Sequence, residues 1–361
     1  MKVLMLSDHY PLSPRVLKVR ESILKKFPMS EVTIFAWNRN NAEVNKNQEF
    51  VKLYNQKIGY GNALKKIKNI IGYIKSVINF NKKYNATHLH IIDFSFLIFS
   101  GLISRNNRIV YEIYDVKYLK SKSLNYIREK VEVYIINKYI DSIIYASPYF
   151  ENYYIEKGIK KTIPSITLNN KPCANLYKTE NIQKNKINSQ KVVVGFIGTI
   201  RHTDILLNLI QAINKHDNVE LKLAGDGPSV TKLKEYVKKN NMENLVEFTG
   251  RFNTIDLPIL YNDCDFIWAA YPNENMNVKY AISNKFFESR IFKKKIIVAN
   301  ETMIADLVRQ KNIGYEVNPY SIDEIDHLIS KIKKDYPYNY PNENINDLFW
   351  ESEESKLIKV Y

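Results

Sequence analysis

The feature that most constrains this chain is a regular exchange of two periods. Runs such as Val3-Leu4-Met5-Leu6, Ile109-Val110-Tyr111, Val192-Val193-Val194 and Ile296-Ile297-Val298 are continuously apolar. That suits strands buried on both faces. Between them lie segments with helical spacing, bounded by caps and polar turns. The alternation predicts α/β architecture, parallel sheets with helices on both faces. Strands are expected at 2–7, 31–37, 88–92, 108–113 and 142–146, then at 191–197, 219–224, 245–249, 265–270, 295–299 and 314–317. Helices in the second half are expected at 203–214, 229–240, 255–262, 284–293, 303–311 and 322–333. A length of 361 residues argues for two domains. The polar stretch 169–191 lacks a sustained period and reads as the linker. Residues 1–172 and 173–345 then form the two domains, with 346–361 as a terminal segment.

A hydrophobic content of 45% supports two real cores and excludes global disorder. Cys173 and Cys264 make no disulfide framework, so both are read as reduced in a cytosolic protein. The first apolar run is too short for a signal core. The run near 89–103 is broken by Asp93 and serines, which disfavours a membrane span. The net charge of +15 is carried by residues 1–180, with 29 Lys+Arg against 14 Asp+Glu; the remainder is balanced at 24 against 24. Such asymmetry suits nucleic acid, an anionic membrane or an acidic ligand. No nucleic-acid-binding module accompanies the lysines, so that partner is disfavoured. Within residues 59–84, Ile67, Ile70, Ile71, Ile74, Val77 and Ile78 form one stripe, surrounded by Lys65, Lys66, Lys68, Lys75, Lys82 and Lys83. Either the stripe enters the domain core or the helix lies on an anionic membrane.

Chemistry concentrates where strands end. After the strand closing in Gly198 come Thr199 and Arg201, then a helix. A glycine there lets backbone approach a phosphate, and a helix N-terminus favours an anion. The next strands end in Gly225-Asp226-Gly227-Pro228 and in Gly250-Arg251. In the stretch AISNKFFESRIFKKKIIVAN (281–300), Lys285 and Glu288 share one face of a helix start. A lysine in the first turn opposes the helix dipole unless an anion binds there.

The order GTIR, AGDGP, FTGRF and NKFFE before KKKIIV resembles the C-terminal domain of GT-B retaining glycosyltransferases of family 4, over roughly 191–320. KVLMLSDHYPLSPRVLKVRESILKK resembles that family's opening strand, loop and helix. EVTIFAWNR, THLHIIDFS and RIVYEIYDV resemble its later strands, and 347–361 its final helix, which crosses back to the first domain. The resemblance implies two Rossmann-like domains facing each other across a cleft. It implies a nucleotide-sugar donor, UDP by family frequency, held by Gly198, Thr199, Arg201, Arg251, Ser283, Asn284, Lys285 and Glu288. Glu288 would hold the ribose hydroxyls. Arg201 and Lys285 would stabilise the diphosphate leaving group, so neither metal nor cofactor is expected. Asp93 is the third catalytic candidate. Asp8, His9, Arg15, Tyr114 and Asp115, at the carboxyl ends of the first-domain strands, would line the acceptor side. The implied acceptor is a lipid-linked saccharide on the inner face of the cytoplasmic membrane, in synthesis of capsule or another cell-surface polysaccharide. The basic N-terminal half would meet anionic lipid.

The family pattern is not complete. Tyr280 stands where a sugar-facing glutamate is usual, with Tyr271, Asn273 and Asn275 as substitutes. Thr199 and Leu206 replace the usual arginine and lysine of the first loop, and Ile92 the usual histidine before Asp93. These departures fit a divergent N-K-x-x-E subgroup. Asp263-Cys264-Asp265 and the pair His88 and His90 mimic metal motifs, and neither has the companions a metal site needs. Rival readings are a nucleotide-sugar epimerase of the same fold and a non-catalytic partner of a transferase.

Overall fold

The computed structural model describes residues 1–44, 48–57, 63–92, 94–103, 107–119, 121–177 and 191–361, without the side chains of 63–67. The chain divides into two units. One comprises Met1–Asn170 with Glu353–Tyr361, the other Lys171–Ser352.

The first unit holds β1 (Lys2–Ser7), β2 (Glu31–Asn38), β3 (Val51–Asn55), β4 (His88–Ile91), β5 (Arg108–Ile113), β6 (Ser142–Tyr145) and β7 (Ser165–Thr167). They pair in parallel in the order β3-β2-β1-β4-β5-β6-β7. The second unit holds β8 (Val192–Ile197), β9 (Val219–Ala224), β10 (Val246–Gly250), β11 (Phe266–Ala269), β12 (Lys295–Ala299) and β13 (Gly314–Val317). Its parallel order is β10-β9-β8-β11-β12-β13. Each order reverses once, between β1 and β4 and between β8 and β11. Loops leaving those strand pairs diverge and open a crevice at the carboxyl edge of each sheet.

All eleven expected strands form, with ends within a residue or two. β3 and β7 are additional. β3 is an edge strand with no buried residue, so it carries no continuous apolar run. β7 has three residues directly after Pro164. The short helix Met276–Tyr280, capped by Asn275, is also new.

Three other expectations change. The helix at 59–84 runs Ala63–Tyr84. Ile74 and Val77 are buried, and Tyr73 beside them donates its hydroxyl to the Phe35 carbonyl at 2.7 Å. The middle of the stripe therefore enters the core; Ile70 and Ile78 are half-buried, Ile71 is exposed, and Lys68, Lys75, Lys82 and Lys83 are solvated, while the side chains of Lys65, Lys66 and Ile67 lie outside the described residues. The expected terminal helix is instead a series of 3-10 turns, Ile345–Leu348, Trp350–Ser352 and Glu354–Lys359. Leu348, Phe349 and Trp350 are consecutive and all buried, which one face of an α-helix cannot satisfy. The chain returns to the first unit at Glu353 rather than 346. There the Ser142 hydroxyl donates to the Val360 carbonyl at 3.0 Å, and Lys25 pairs with Glu354 at 2.6 Å. Of the expected linker, 178–190 lies outside the described residues.

Candidate active site

In the second unit, the loops after β8 and β9 meet backbone to backbone. Gly198 has φ 143° and Gly225 φ 134°, values that L side chains rarely adopt. A Cβ on Gly225 would stand 1.9 Å from the Gly198 carbonyl oxygen. The Gly198 N–H donates to the Ala224 carbonyl and the Gly225 N–H to that of Gly250, both at 2.8 Å. This stitching fixes where the β8 loop carries Thr199 and Arg201. Both are exposed, and Arg201 has no hydrogen bond or ion pair among the described residues.

Lys285 comes to the same place from the helix Asn284–Ile291. Its Nζ lies 3.0 Å from the position a Cβ on Gly198 would occupy. It also stands 5.5 Å from the ring centroids of Phe196 and Tyr271. Two aromatic faces thus hold the cation. No carboxylate pairs with it among the described residues. Ser283, extended at φ −71° and ψ 153°, begins this helix, and its buried Oγ has no hydrogen-bond partner among the described residues. It lines a cavity of about 200 Å³ with Tyr271, Asn277 and Thr302, at the carboxyl ends of β11 and β12. Asn284 is exposed at the helix start. A free cation, a helix N-terminus and a glycine-walled loop thus converge, a combination whose chemistry suits an anion.

Glu288 sits one turn further along. The Tyr177 hydroxyl donates to its Oε1 at 3.0 Å and the Tyr261 hydroxyl to its Oε2 at 2.6 Å. Burial first, and then the Glu288 charge, push both phenols above their usual range, so they remain protonated donors. Each carboxylate oxygen keeps one lone-pair direction for a further donor. Nothing local marks Tyr177 or Tyr261 among the chain's 26 tyrosines, and the motif reading misses both. Arg251 pairs with Asp226 at 2.7 Å at the exposed surface, so it is not a free cation like Arg201. Tyr280 lies half-buried on Met276–Tyr280, while Asn275 caps that helix and Asn273 bonds Asn300.

In the first unit, Asp8 follows β1 and accepts from the His9 ring at 2.7 Å, with Arg39 3.3 Å away. Burial works to raise the Asp8 carboxyl, but His9 and Arg39 outweigh it and hold it below its ordinary value. Tyr114 and Asp115 follow β5; the Tyr114 hydroxyl is buried and Asp115 is exposed. Arg15 departs from the acceptor-side expectation. It is buried and paired with Glu112 at 2.8 Å, because Glu112 lies wholly inside the unit and needs a counter-charge. Asp93 lies outside the described residues. His90 is also taken up: Nε2 faces Glu112 at 2.8 Å and Nδ1 meets the Tyr361 hydroxyl at 2.5 Å. Asp263 pairs with Lys222 at 3.0 Å, and Asp265 accepts from the Val193 N–H at 3.0 Å.

Residues 177–346 match the profile of the family described as glycosyl transferases group 1. The chain carries a group 1 glycosyltransferase domain. A stretch of 104 residues is 31% identical to Protein CapJ of Staphylococcus aureus, over 27% of this chain and 26% of that protein. Another of 110 residues is 26% identical to the alpha-monoglucosyldiacylglycerol synthase of Streptococcus pneumoniae, over 30% of this chain and 24% of that enzyme. The aligned stretches thus span about a quarter of these relatives' length. Anabaena HepE, solved in complex with UDP, matches with a TM-score of 0.68 at 16% identity, over 100% of this chain and 96% of that one. At that identity the likeness establishes the fold. It is GT-B, and the glycosyltransferase domain is its C-terminal Rossmann-like half.

Proposed function

We propose that the chain is a retaining glycosyltransferase that moves a sugar from UDP to a lipid-linked saccharide in capsule or other cell-surface polysaccharide synthesis. The observation that carries this is the unpaired Lys285 ammonium, set between Phe196 and Tyr271 beside Gly198, one turn ahead of Glu288. The donor's diphosphate would lie against Lys285, Arg201 and the N–H groups at Ser283 and Asn284. Its ribose hydroxyls would donate to the free lone pairs of Glu288. As the bond from sugar C1 to the phosphate oxygen breaks, negative charge grows on the diphosphate, and these fixed positive groups stabilise it. The acceptor oxygen bonds C1 on the face the phosphate leaves, and its proton passes to the departing phosphate oxygen. This route requires no protein nucleophile and no metal. Likeness to a glycolipid synthase and the basic first half support a lipid-linked acceptor at the inner face of the cytoplasmic membrane.

Calorimetry with UDP, GDP, dTDP, CMP and NAD, on the native chain and Glu288→Ala, tests the reading. One nucleoside diphosphate should bind and should lose affinity in Glu288→Ala. Binding of NAD alone, or of no nucleotide, would overturn it; the latter would favour a non-catalytic partner protein, which the tyrosine at 280 also suits.

A further inference from the structure

The helix Lys122–Tyr139 in the first unit is built inside out. Its two glutamates and its arginine are buried. Arg128 pairs with Glu132, which also accepts the hydroxyls of Tyr111 and Tyr154 at 3.1 and 3.0 Å. Glu129 accepts from Tyr153 at 2.6 Å and from Asn125 at 2.9 Å. The solvent side carries the apolar residues. Leu124, Ile127, Val131 and Tyr134 are 57, 57, 41 and 59% exposed. Their spacing places them in one stripe. Lys130 and Lys138 are exposed beside and within this stripe, and the helix's exposed residues include no carboxylate. Tyr118 and Leu119, also exposed, extend the patch toward the end of β5, where Tyr114 and Asp115 stand.

We propose that this helix docks the chain flat onto an anionic lipid surface, the apolar stripe entering the headgroup boundary and the lysines meeting lipid phosphates. The surface charge selects the occupant. A second copy of the same face would set lysines against lysines, whereas an anionic, apolar-cored surface satisfies both features. No described helix is long and apolar enough to cross a membrane, so the contact is peripheral. The proposal deepens the lipid-acceptor reading and rests on it for its purpose; its physics stands on the helix alone.

Co-sedimentation of the full chain with vesicles of phosphatidylcholine alone, or with phosphatidylglycerol added, tests it. Binding should require the anionic lipid and weaken with salt. Leu124→Ser/Ile127→Ser/Val131→Ser should lose most binding. Lys130→Glu/Lys138→Glu should lower affinity at least about 30-fold. Reversing Lys68, Lys75, Lys82 and Lys83 should cost much less than either. UDP calorimetry on the same variants should be unchanged, which separates failure of docking from failure of the nucleotide site. Absent vesicle binding, binding indifferent to the serine variant, or a dimer dissolved by that variant would overturn the proposal.

Discussion

Gly225 and Gly250 both hold positive φ, at 134° and 76°, yet their surroundings differ. A Cβ at position 250 meets nothing within 4 Å, so Gly250→Ala should cost only the backbone penalty, about 1–2 kcal/mol. A Cβ at position 225 meets the Gly198 carbonyl oxygen at 1.9 Å and its carbon at 2.9 Å. Backbone cannot swing aside as a flexible side chain does. The loops must part, straining the bonds from Gly198 N–H to Ala224 and from Gly225 N–H to Gly250. Losing both adds roughly 1 kcal/mol each, so Gly225→Ala should destabilise the second unit by about 3–4 kcal/mol. For a unit of this size that is on the order of 10 °C in Tm. The displaced loop carries Gly198, Thr199 and Arg201, so UDP affinity should fall at least ~10-fold, about 1.4 kcal/mol. Gly250→Ala should bind UDP nearly as the native chain does. Thermal unfolding and calorimetry read both effects. Equal stability and equal UDP affinity in the two variants would refute the claim that the loop contact organises the site.

Lys285→Met should weaken UDP far more than uridine, by roughly 10–100-fold, since a charge-assisted contact is worth about 1.5–3 kcal/mol; titrating both ligands measures it. Tyr261→Phe frees one Glu288 oxygen to move, so UDP should bind several-fold less tightly in calorimetry while the other nucleotides stay unaffected. Because the folded-state pKa of Asp8 lies below its ordinary 3.8, the stability it contributes is present above 3.8 and lost as pH falls through the lower folded value; urea midpoints of Asp8→Asn against pH should therefore lack that acid-side loss. Burial first, and the flanking carboxylates less, push the Cys264 thiol up to about 12, so iodoacetamide should label only half-buried Cys173 in the native chain and both cysteines after denaturation.

The sheet-forming runs were legible because a strand buried on both faces needs an unbroken apolar sequence, as in β1 and β12. β3 was not, since an edge strand carries no such run. Around the site, sequence order alone picked out Gly198, Lys285 and Glu288, and it could not indicate that Tyr177, 111 positions away, donates to Glu288. The same limit left the helix at 59–84 open between a core role and a membrane role. Residues 63–84 show the cleaner stripe, but its middle, Ile74 and Val77, turns inward with Tyr73. The helix Lys122–Tyr139 shows mixed charge, and tyrosines from other elements join Arg128 and Asn125 in making its glutamates buriable. A local pattern shows which face is apolar, not what the rest of the fold offers to either face.

Because Glu353–Tyr361 completes the first unit, that unit is discontinuous, and the whole transferase domain is spliced into it. During synthesis the ribosome delivers β1 to β7 early. The hydroxyl that meets His90 and the carbonyl that meets Ser142 belong to Tyr361 and Val360, which emerge only after the second unit has been made. A nascent chain therefore lacks these two partners in its first sheet throughout translation of the second unit. Completion of the N-terminal core thus waits on synthesis of the second unit.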